Sequence, residues 1–385
     1  MKPLGLYIHI PFCVRKCRYC DFCSYPINDT DVHLAYTLKV IYELRAKRAL
    51  PDVCEGYEKG VPLVDSVYVG GGTPSMIEAG FISELLDAVY ASYRVADDAE
   101  VTIEINPGTV NTEKLKKYKA AGINRISLGA QSFKYDNLAF LGRIHDVTDI
   151  YRAVNDAKDT GFTNIGLDLI FGIPGQCLSG FEKDLEKTID LQPSHVSYYS
   201  LQIEERTPLY EDYMKGHFDP PDEMEDRRMY HTAKNYLTLH GLNQYEISNS
   251  SIPGSESRHN LKYWSMEPYI GFGVSAHSYI NGRRISNTSE LSAYLAAENN
   301  LAITECTHEN TLSDDMSEFV FLGLRRTAGI ELSCFRNRYG RDFWEMYGEE
   351  TENLIGRGLL EKMGETLRLT PLGLDVANIV FREYV

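Results

Sequence analysis

The 385-residue sequence has no long apolar run, so nothing in it reads as a membrane-spanning helix. Its opening residues, MKPLGLYIHIPF, hold one lysine, too short an apolar stretch for a signal peptide and no small-residue cleavage site. The expected location is the cytoplasm. Positive charge is also scarce: 39 Lys and Arg stand against 55 Asp and Glu, a formal net charge of −16. Phosphate backbones are gripped by clustered Lys and Arg, so no nucleic-acid partner is expected and a small substrate is. There is no low-complexity tract and no tandem repeat beyond β/α units. The 43% of hydrophobic residues suffices for a large core, arranged as one big domain and a smaller one.

Cysteine is the residue whose distribution stands out. The stretch HIPFCVRKCRYCDFCSYP packs Cys13, Cys17, Cys20 and Cys23 into eleven residues, half of the chain's eight cysteines. In a reducing compartment such clustering points to metal ligands or redox groups and away from disulfides. A structural zinc site pairs two separated C-x-x-C knuckles, and no second pair follows here. An electron-carrying cluster of the bacterial ferredoxin type has spacing C-x2-C-x2-C-x3-C, the reverse of the order in this chain. The third reading is a four-iron cluster held by Cys13, Cys17 and Cys20 alone, which leaves one iron open to the amine and carboxylate of an amino acid.

Up to about residue 205 the sequence repeats one theme, a short apolar run followed by a turn and a helical pattern. LYIHI, SVYVGG, VTIEINP, RISLGAQ, IGLDLIFGIP and HVSYYSLQI read as strands. FISELLDAVYASY, TEKLKKYKAAG and VTDIYRAVNDAKDTG read as helices between them. Six such units predict an α/β fold with a parallel sheet curved into a partial (β/α)6 barrel, a doubly wound open sheet being the alternative. An acidic, proline-bearing segment over 204–228 and the helical MYHTAKNYLTLHG place the end of the first domain near residue 240. The expected division is therefore 1–240 and 241–385. The second, smaller and mostly helical domain closes with LIGRGLLEKMGETLRLTPLGLDVANIV, a helix, strand, turn, strand and helix of winged-helix type, which this charge balance assigns to packing.

Parallel β/α barrels carry their chemistry where the strands end. Those positions here are Cys13, the loop Gly70, Gly71, Gly72, Thr73, Pro74, then Glu104 and Asn106, Gln131, Asp168 and Ser200. Any one of them alone reads as a loop residue. Together, at one end of successive strands, they predict a polar ligand, because unpaired buried polar groups cost about 1 to 3 kcal/mol each. Arg143 fits as a cation for a ligand carboxylate.

Cys13-x3-Cys17-x2-Cys20, with Tyr19 before the last cysteine, resembles the signature of the radical S-adenosylmethionine enzymes. YIHIPFC, CRYCDF, GGGTPS, EINPGT, RISLGAQSF and LDLIFGIPGQ narrow the likeness to the oxygen-independent coproporphyrinogen III oxidase group, over essentially the whole chain. The resemblance implies that Cys13, Cys17 and Cys20 ligate a 4Fe-4S cluster and that Tyr7 and Tyr19 lie against S-adenosylmethionine. It places Gly71, Gly72 and Thr73 on the methionyl part, Glu104, Gln131 and Asp168 on the ribose or neighbouring polar groups, and Arg143 on the carboxylate.

Two function classes compete within that group. The oxidase signature places a fourth cysteine two residues after the third, where this chain has Phe22; Phe22 resembles the HemW family of haem chaperones, and Cys23 follows one residue later. RHNLKYW supplies His259, Asn260, Tyr263 and Trp264, similar to the H-N-x-x-Y-W motif of those chaperones, whose cargo is haem. An imidazole is a good axial ligand, the two rings offer flat apolar area, and Arg258 or Lys262 can meet a propionate. His277 and Cys23 are the other ligand candidates. The expectation is a haem chaperone, with the oxidase second and a purely structural use of cluster and cofactor third. The resemblance further implies delivery to haem-requiring proteins, including respiratory membrane enzymes, by contact at the membrane surface, and it allows a haem-dependent homodimer.

Overall fold

A computed structural model describes residues 2–54, 57 and 60–385. Six strands, β1 (Leu4–Ile10), β2 (Leu63–Gly71), β3 (Arg94–Ile105), β4 (Arg125–Gln131), β5 (Asn164–Phe171) and β6 (His195–Ser200), each pair in parallel with the next. Helices Thr30–Arg48, Ala79–Ser92, Thr112–Ala120, Val147–Asp159 and Leu178–Asp190 return the chain between them. Side chains set the starts of the third and fourth: Asn111 and Asp146 accept from the backbone N–H groups of Lys114 and Asp149, donors that the first turn leaves unpaired.

Alternation along the strands divides the sheet into two chemically different faces. Ile8, Val69, Ile103, Ile126 and Ile165 are register partners across five strands and are all buried. They belong to the same core as Leu85, Leu86 and Val89 of the second helix and Val154 of the fourth. Each such side chain contributes about 1.5 to 3 kcal/mol of burial, which is why the helices stay on that face. The alternate positions carry polar groups: Tyr7 beside Tyr68 and Thr102, Glu104 beside Ser127, Asp168 beside Ser197. That polar face is where a site can be built.

Residues beyond 240 continue the sheet. β7 (Asn243–Glu246) and β8 (Asn249–Ser251) extend it antiparallel past β6, while β9 (Tyr269–Phe272) adds a seventh parallel strand on the free edge of β1. β10 (His277–Ile280), β11 (Arg283–Asn287) and β12 (Thr304–Glu309) follow antiparallel. The sheet thus runs β12-β11-β10-β9-β1-β2-β3-β4-β5-β6-β8-β7. The boundary expected at residue 240 falls inside it, because both edges of the six-stranded barrel sheet are covered by strands from later in the chain.

A second core gathers residues between Met316 and Tyr384. It consists of helices Leu312–Gly323, Leu332–Tyr339 and Phe343–Gly356, a small sheet of Ile330–Glu331, Thr366–Leu369 and Leu360–Met363, and the closing helices Pro371–Asp375 and Ala377–Arg382. The helix, strand, turn, strand, helix ending is as the sequence predicts. No helix among the described residues is long and apolar enough to cross a membrane.

Candidate functional site

β1 delivers the cysteine loop. Phe12 bridges to Tyr25, and the N–H of Cys13 donates to Tyr25 O at 3.0 Å, which pins both ends of the loop. Cys13 is buried, while Cys17, Cys20 and Cys23 are partly exposed. Burial raises the thiol pKa of Cys13 and of Cys20. Among the described residues no three His, Cys, Asp or Glu side chains converge as ligands of a single metal ion. A cluster that takes one thiolate per iron does not need such convergence, and Cys13, Cys17 and Cys20 share one short loop, so the donor set fits a cluster.

Around this loop the strand ends form two linked groups. In the first, Arg143 donates to Cys17 Sγ at 3.5 Å, to Gly129 O at 2.9 Å and to Asn106 Oδ1, and Asn106 Nδ2 donates to Thr73 Oγ1 at 2.9 Å. Tyr19 packs on Leu141, Ile170 and Ile173 beside that guanidinium. Gln131 ends β4 with φ of 67°, a left-handed conformation that costs a non-glycine residue energy and recurs at functional sites. In the second group, Glu104 accepts from Tyr68 Oη at 2.8 Å and from the Gly71 N–H at 3.0 Å. Burial pushes its carboxyl up to about 7, against those two hydrogen bonds. Asp168, also raised by burial, accepts from Ser127 Oγ at 3.2 Å.

The loop needs its glycines. Gly71 has φ of 116°, and a Cβ there would lie 2.6 Å from the His9 ring; one on Gly72 would lie 2.8 Å from Phe12 O. The result is a polar recess lined by backbone and carboxylates beside a thiol loop, suited to a zwitterionic ligand with ribose-like hydroxyls.

A cavity of about 630 Å³ has Tyr7 and His9 among its lining residues. This is within the roughly 300 to 1,000 Å³ of small-molecule sites. Its walls are Asp21, Phe22 and Cys23 of the thiol loop, Tyr263, Trp264 and Tyr269, Ser275, His277 and Arg284, and Glu318, Phe321 and Leu322 of the C-terminal unit. Phe22 is 64% exposed, and His277 is exposed at the wall with its pKa lowered by burial and by the Arg284 charge. A neutral imidazole keeps a lone pair for a metal.

His259, expected as an axial haem ligand, sits elsewhere. It is 1% exposed, and its ring nitrogens are engaged by Ser66 Oγ at 3.0 Å and Tyr263 Oη at 2.8 Å. Burial, with the Lys262 and Arg125 charges, brings its pKa down to about 3. Its ring lies 5.3 Å from that of Tyr68 and 6.3 Å from that of Tyr7, on the polar face of the sheet. As folded, both its ring nitrogens are taken up by the Ser66 and Tyr263 hydroxyls. The cations expected to meet a propionate also point elsewhere: Arg258 pairs with Asp98 at 3.2 Å, and Lys262 is buried 2.8 Å from Asp65 and 3.3 Å from Glu267.

Comparisons with known proteins agree with this arrangement. The radical SAM superfamily matches residues 7–188 and the HemN C-terminal domain matches residues 310–376. The heme chaperone HemW of Bacillus subtilis (strain 168) is 36% identical over 384 residues, covering 98% of each chain. That of Lactococcus lactis is 34% identical over all of this chain and 98% of its own, and that of Escherichia coli (strain K12) is 39% identical over 75% and 74%. This chain belongs to the HemW family. A solved structure described as coproporphyrinogen III oxidase (HemN) from Escherichia coli, a radical SAM enzyme, superposes on 99% of the chain with a TM-score of 0.85 at 22% identity. The shared fold is thus the radical-SAM α/β architecture.

In this HemW-family chain the strand interiors hold functional groups that strand-end reasoning missed. His9 bonds Tyr7 Oη at 3.0 Å and Cys23 O at 2.8 Å, tying the polar recess to the thiol loop. Tyr68, Ser127 and Ser197 support the two carboxylates. The signal was present in LYIHI, SVYVGG, RISLGAQ and HVSYYS, where every second residue is polar or glycine.

Proposed function

We propose that this chain binds haem in the 630 Å³ cavity and delivers it to haem-requiring proteins, respiratory membrane enzymes among them. In the same reading Cys13, Cys17 and Cys20 hold a 4Fe-4S cluster. S-adenosylmethionine lies against Tyr7, Tyr19, Gly71, Gly72, Thr73, Glu104, Gln131, Arg143 and Asp168. Such a cluster, when bound, would supply electrons to the sulfonium. The chain's own part is positional: Arg143 offers its guanidinium to a carboxylate, the Gly71 and Gly72 backbone admits the ligand closely, and Glu104 and Asp168 accept from hydroxyls.

The observation that carries the haem reading is the cavity itself, apolar and aromatic on most sides, with His277 exposed at one wall and the thiol loop at another. His277 takes the axial role there, because His259 is fully engaged. Anaerobically reconstituted protein, given haem, is expected to develop a Soret band, and His277→Ala to change its position. Given coproporphyrinogen III, it is expected to release no protoporphyrinogen. Turnover of that substrate would replace this reading with the oxidase.

A further inference from the structure

The wall of the cavity holds an ion pair that haem ligation does not call for. Arg284, on β11, donates through Nε to Glu318 Oε1 at 2.8 Å and through Nη2 to Glu318 Oε2 at 2.7 Å. Its guanidinium lies over the Tyr279 ring at 4.6 Å, and Nη1 reaches Tyr269 Oη at 3.4 Å. Both side chains line the cavity and keep contact with solvent, at 32% and 18% exposure. Among the described residues lining the cavity, Arg284 is the one Lys or Arg.

A guanidinium fork binds carboxylates through two parallel N–H···O bonds and takes any carboxylate of suitable approach. An incoming ligand with carboxylates therefore meets Arg284 already neutralised, and gains it by exchange with Glu318. Exchange does not orphan Glu318, since Asn310 Nδ2 still donates to its Oε2 at 2.9 Å. It does remove a clasp between helix Leu312–Gly323 and β11. Another, to β10, lies one turn earlier, where Asp315 accepts from Tyr279 Oη at 2.8 Å, while Arg338 Nη2 to Asp315 at 3.2 Å and Ser317 Oγ to Tyr384 O hold the helix within the C-terminal unit. That helix is the first of the C-terminal unit.

We propose that Arg284 is the carboxylate anchor of the cavity and Glu318 its exchangeable counter-ion, so that a tetrapyrrole bearing carboxylates loosens helix Leu312–Gly323 as it binds. The inference rests on the haem reading of this cavity. Loading then signals through the C-terminal unit, and a tetrapyrrole without free carboxylates fills the cavity without that signal.

The test titrates ferric haem and haem dimethyl ester, which lacks free carboxylates, into the wild type, Arg284→Ala and Glu318→Gln. Arg284→Ala is expected to weaken haem about tenfold while changing the ester by less than about twofold, the loss of a charge-assisted hydrogen bond. Glu318→Gln, which keeps the shape of the wall, is expected to tighten haem several-fold and leave the ester unchanged. Hydrogen exchange of residues 312–323 is expected to rise with haem and not with ester. Equal effects of both substitutions on haem and ester would overturn the anchor, and an unaltered haem affinity in Glu318→Gln would overturn the exchange even if Arg284→Ala failed to fold. Unchanged hydrogen exchange on haem loading would overturn the loosening. Failure of both porphyrins to bind the wild type would instead overturn the haem reading, and this inference with it.

Discussion

Glu104 keeps its proton to an unusually high pH because burial, helped by the Asp168 charge, outweighs the hydrogen bonds from Tyr68 and Gly71 and the Arg125 charge. Its folded pKa of about 7 lies above the ordinary carboxyl value, so between those values the folded chain holds a proton that the unfolded chain releases. Stability from this group is complete below the ordinary value and is lost as pH rises through about 7. Glu104→Gln should flatten that fall, by a slope of at most about 1.4 kcal/mol per pH unit, in urea unfolding of the apo protein. A different kind of residue test separates the two histidines. His259→Ala should destabilise the fold by roughly 2 to 3 kcal/mol, since it leaves Ser66 and Tyr263 without partners, yet leave the Soret position of bound haem alone. His277→Ala should do the reverse, and a shifted Soret in the His259 variant with none in the His277 variant would exchange their roles. At the thiol loop, replacing Cys13, Cys17 or Cys20 by Ala should abolish the visible absorbance of the reconstituted protein, and Cys23→Ala should keep most of it. The cysteines and the polar strand ends were legible because their spacing is a local property of the chain. The engagement of His259 was not: its partners Ser66 and Tyr263 are on a distant strand and on its own helix turn, and no spacing rule links Ser66 to it.

Elements of this fold are joined to each other by buried polar groups as well as by apolar ones. Helix Thr30–Arg48 carries Glu43 and Lys47, one turn apart, both almost without solvent contact and 2.7 Å from each other. Glu43 accepts from the Gly273 N–H at 2.8 Å, Asn287 Nδ2 at 2.7 Å and Tyr294 Oη at 2.6 Å; Lys47 donates to Gly271 O at 2.9 Å. This satisfied network fastens the helix to β9 and β11, and so holds the seventh parallel strand, and through it the cavity wall, against β1. Removing one partner strands the other charge in the interior, so Glu43→Ala should cost roughly 3 to 5 kcal/mol in thermal or urea unfolding. The Glu43→Leu, Lys47→Met pair should cost clearly less, because no charge is left alone. A single substitution as mild as the pair would show that the network carries little of the attachment. The helices after β2, β3 and β4 and the six strands of the barrel could be placed from periodicity, whereas helix Thr30–Arg48 was not. β7 to β12 could not be placed either, since each is three to six residues long and the pairings that attach them to the barrel, β8 to β6 and β9 to β1, link strands far apart in sequence.

At the scale of the whole chain the question is where it can be divided. One core draws residues from Leu4 to Ile303 and the other from Met316 to Tyr384, while the sheet crosses residue 240 without a break. A chain ending at residue 240 would bare the far edge of β1, where β9 pairs, and the edge of β6, where β8 pairs. Two unpaired edges of hydrogen-bonding groups invite association with other chains, so that fragment should be recovered aggregated. A chain ending at residue 309 keeps all twelve strands of the sheet together with the thiol loop and the polar recess. It should stay soluble, show the far-ultraviolet signal of a mixed sheet, and take up iron like the full chain on anaerobic reconstitution. What it loses is Glu318, Phe321 and Leu322, one wall of the cavity. With that wall gone the porphyrin faces water on one side, and at about 25 cal/mol per Å² of apolar surface left uncovered its haem affinity should drop by at least about tenfold in a Soret titration. Solubility and iron uptake with full haem affinity would move the haem site out of the cavity and back toward the strand ends. An aggregated 309-residue chain beside a soluble 240-residue one would put the division at residue 240 after all.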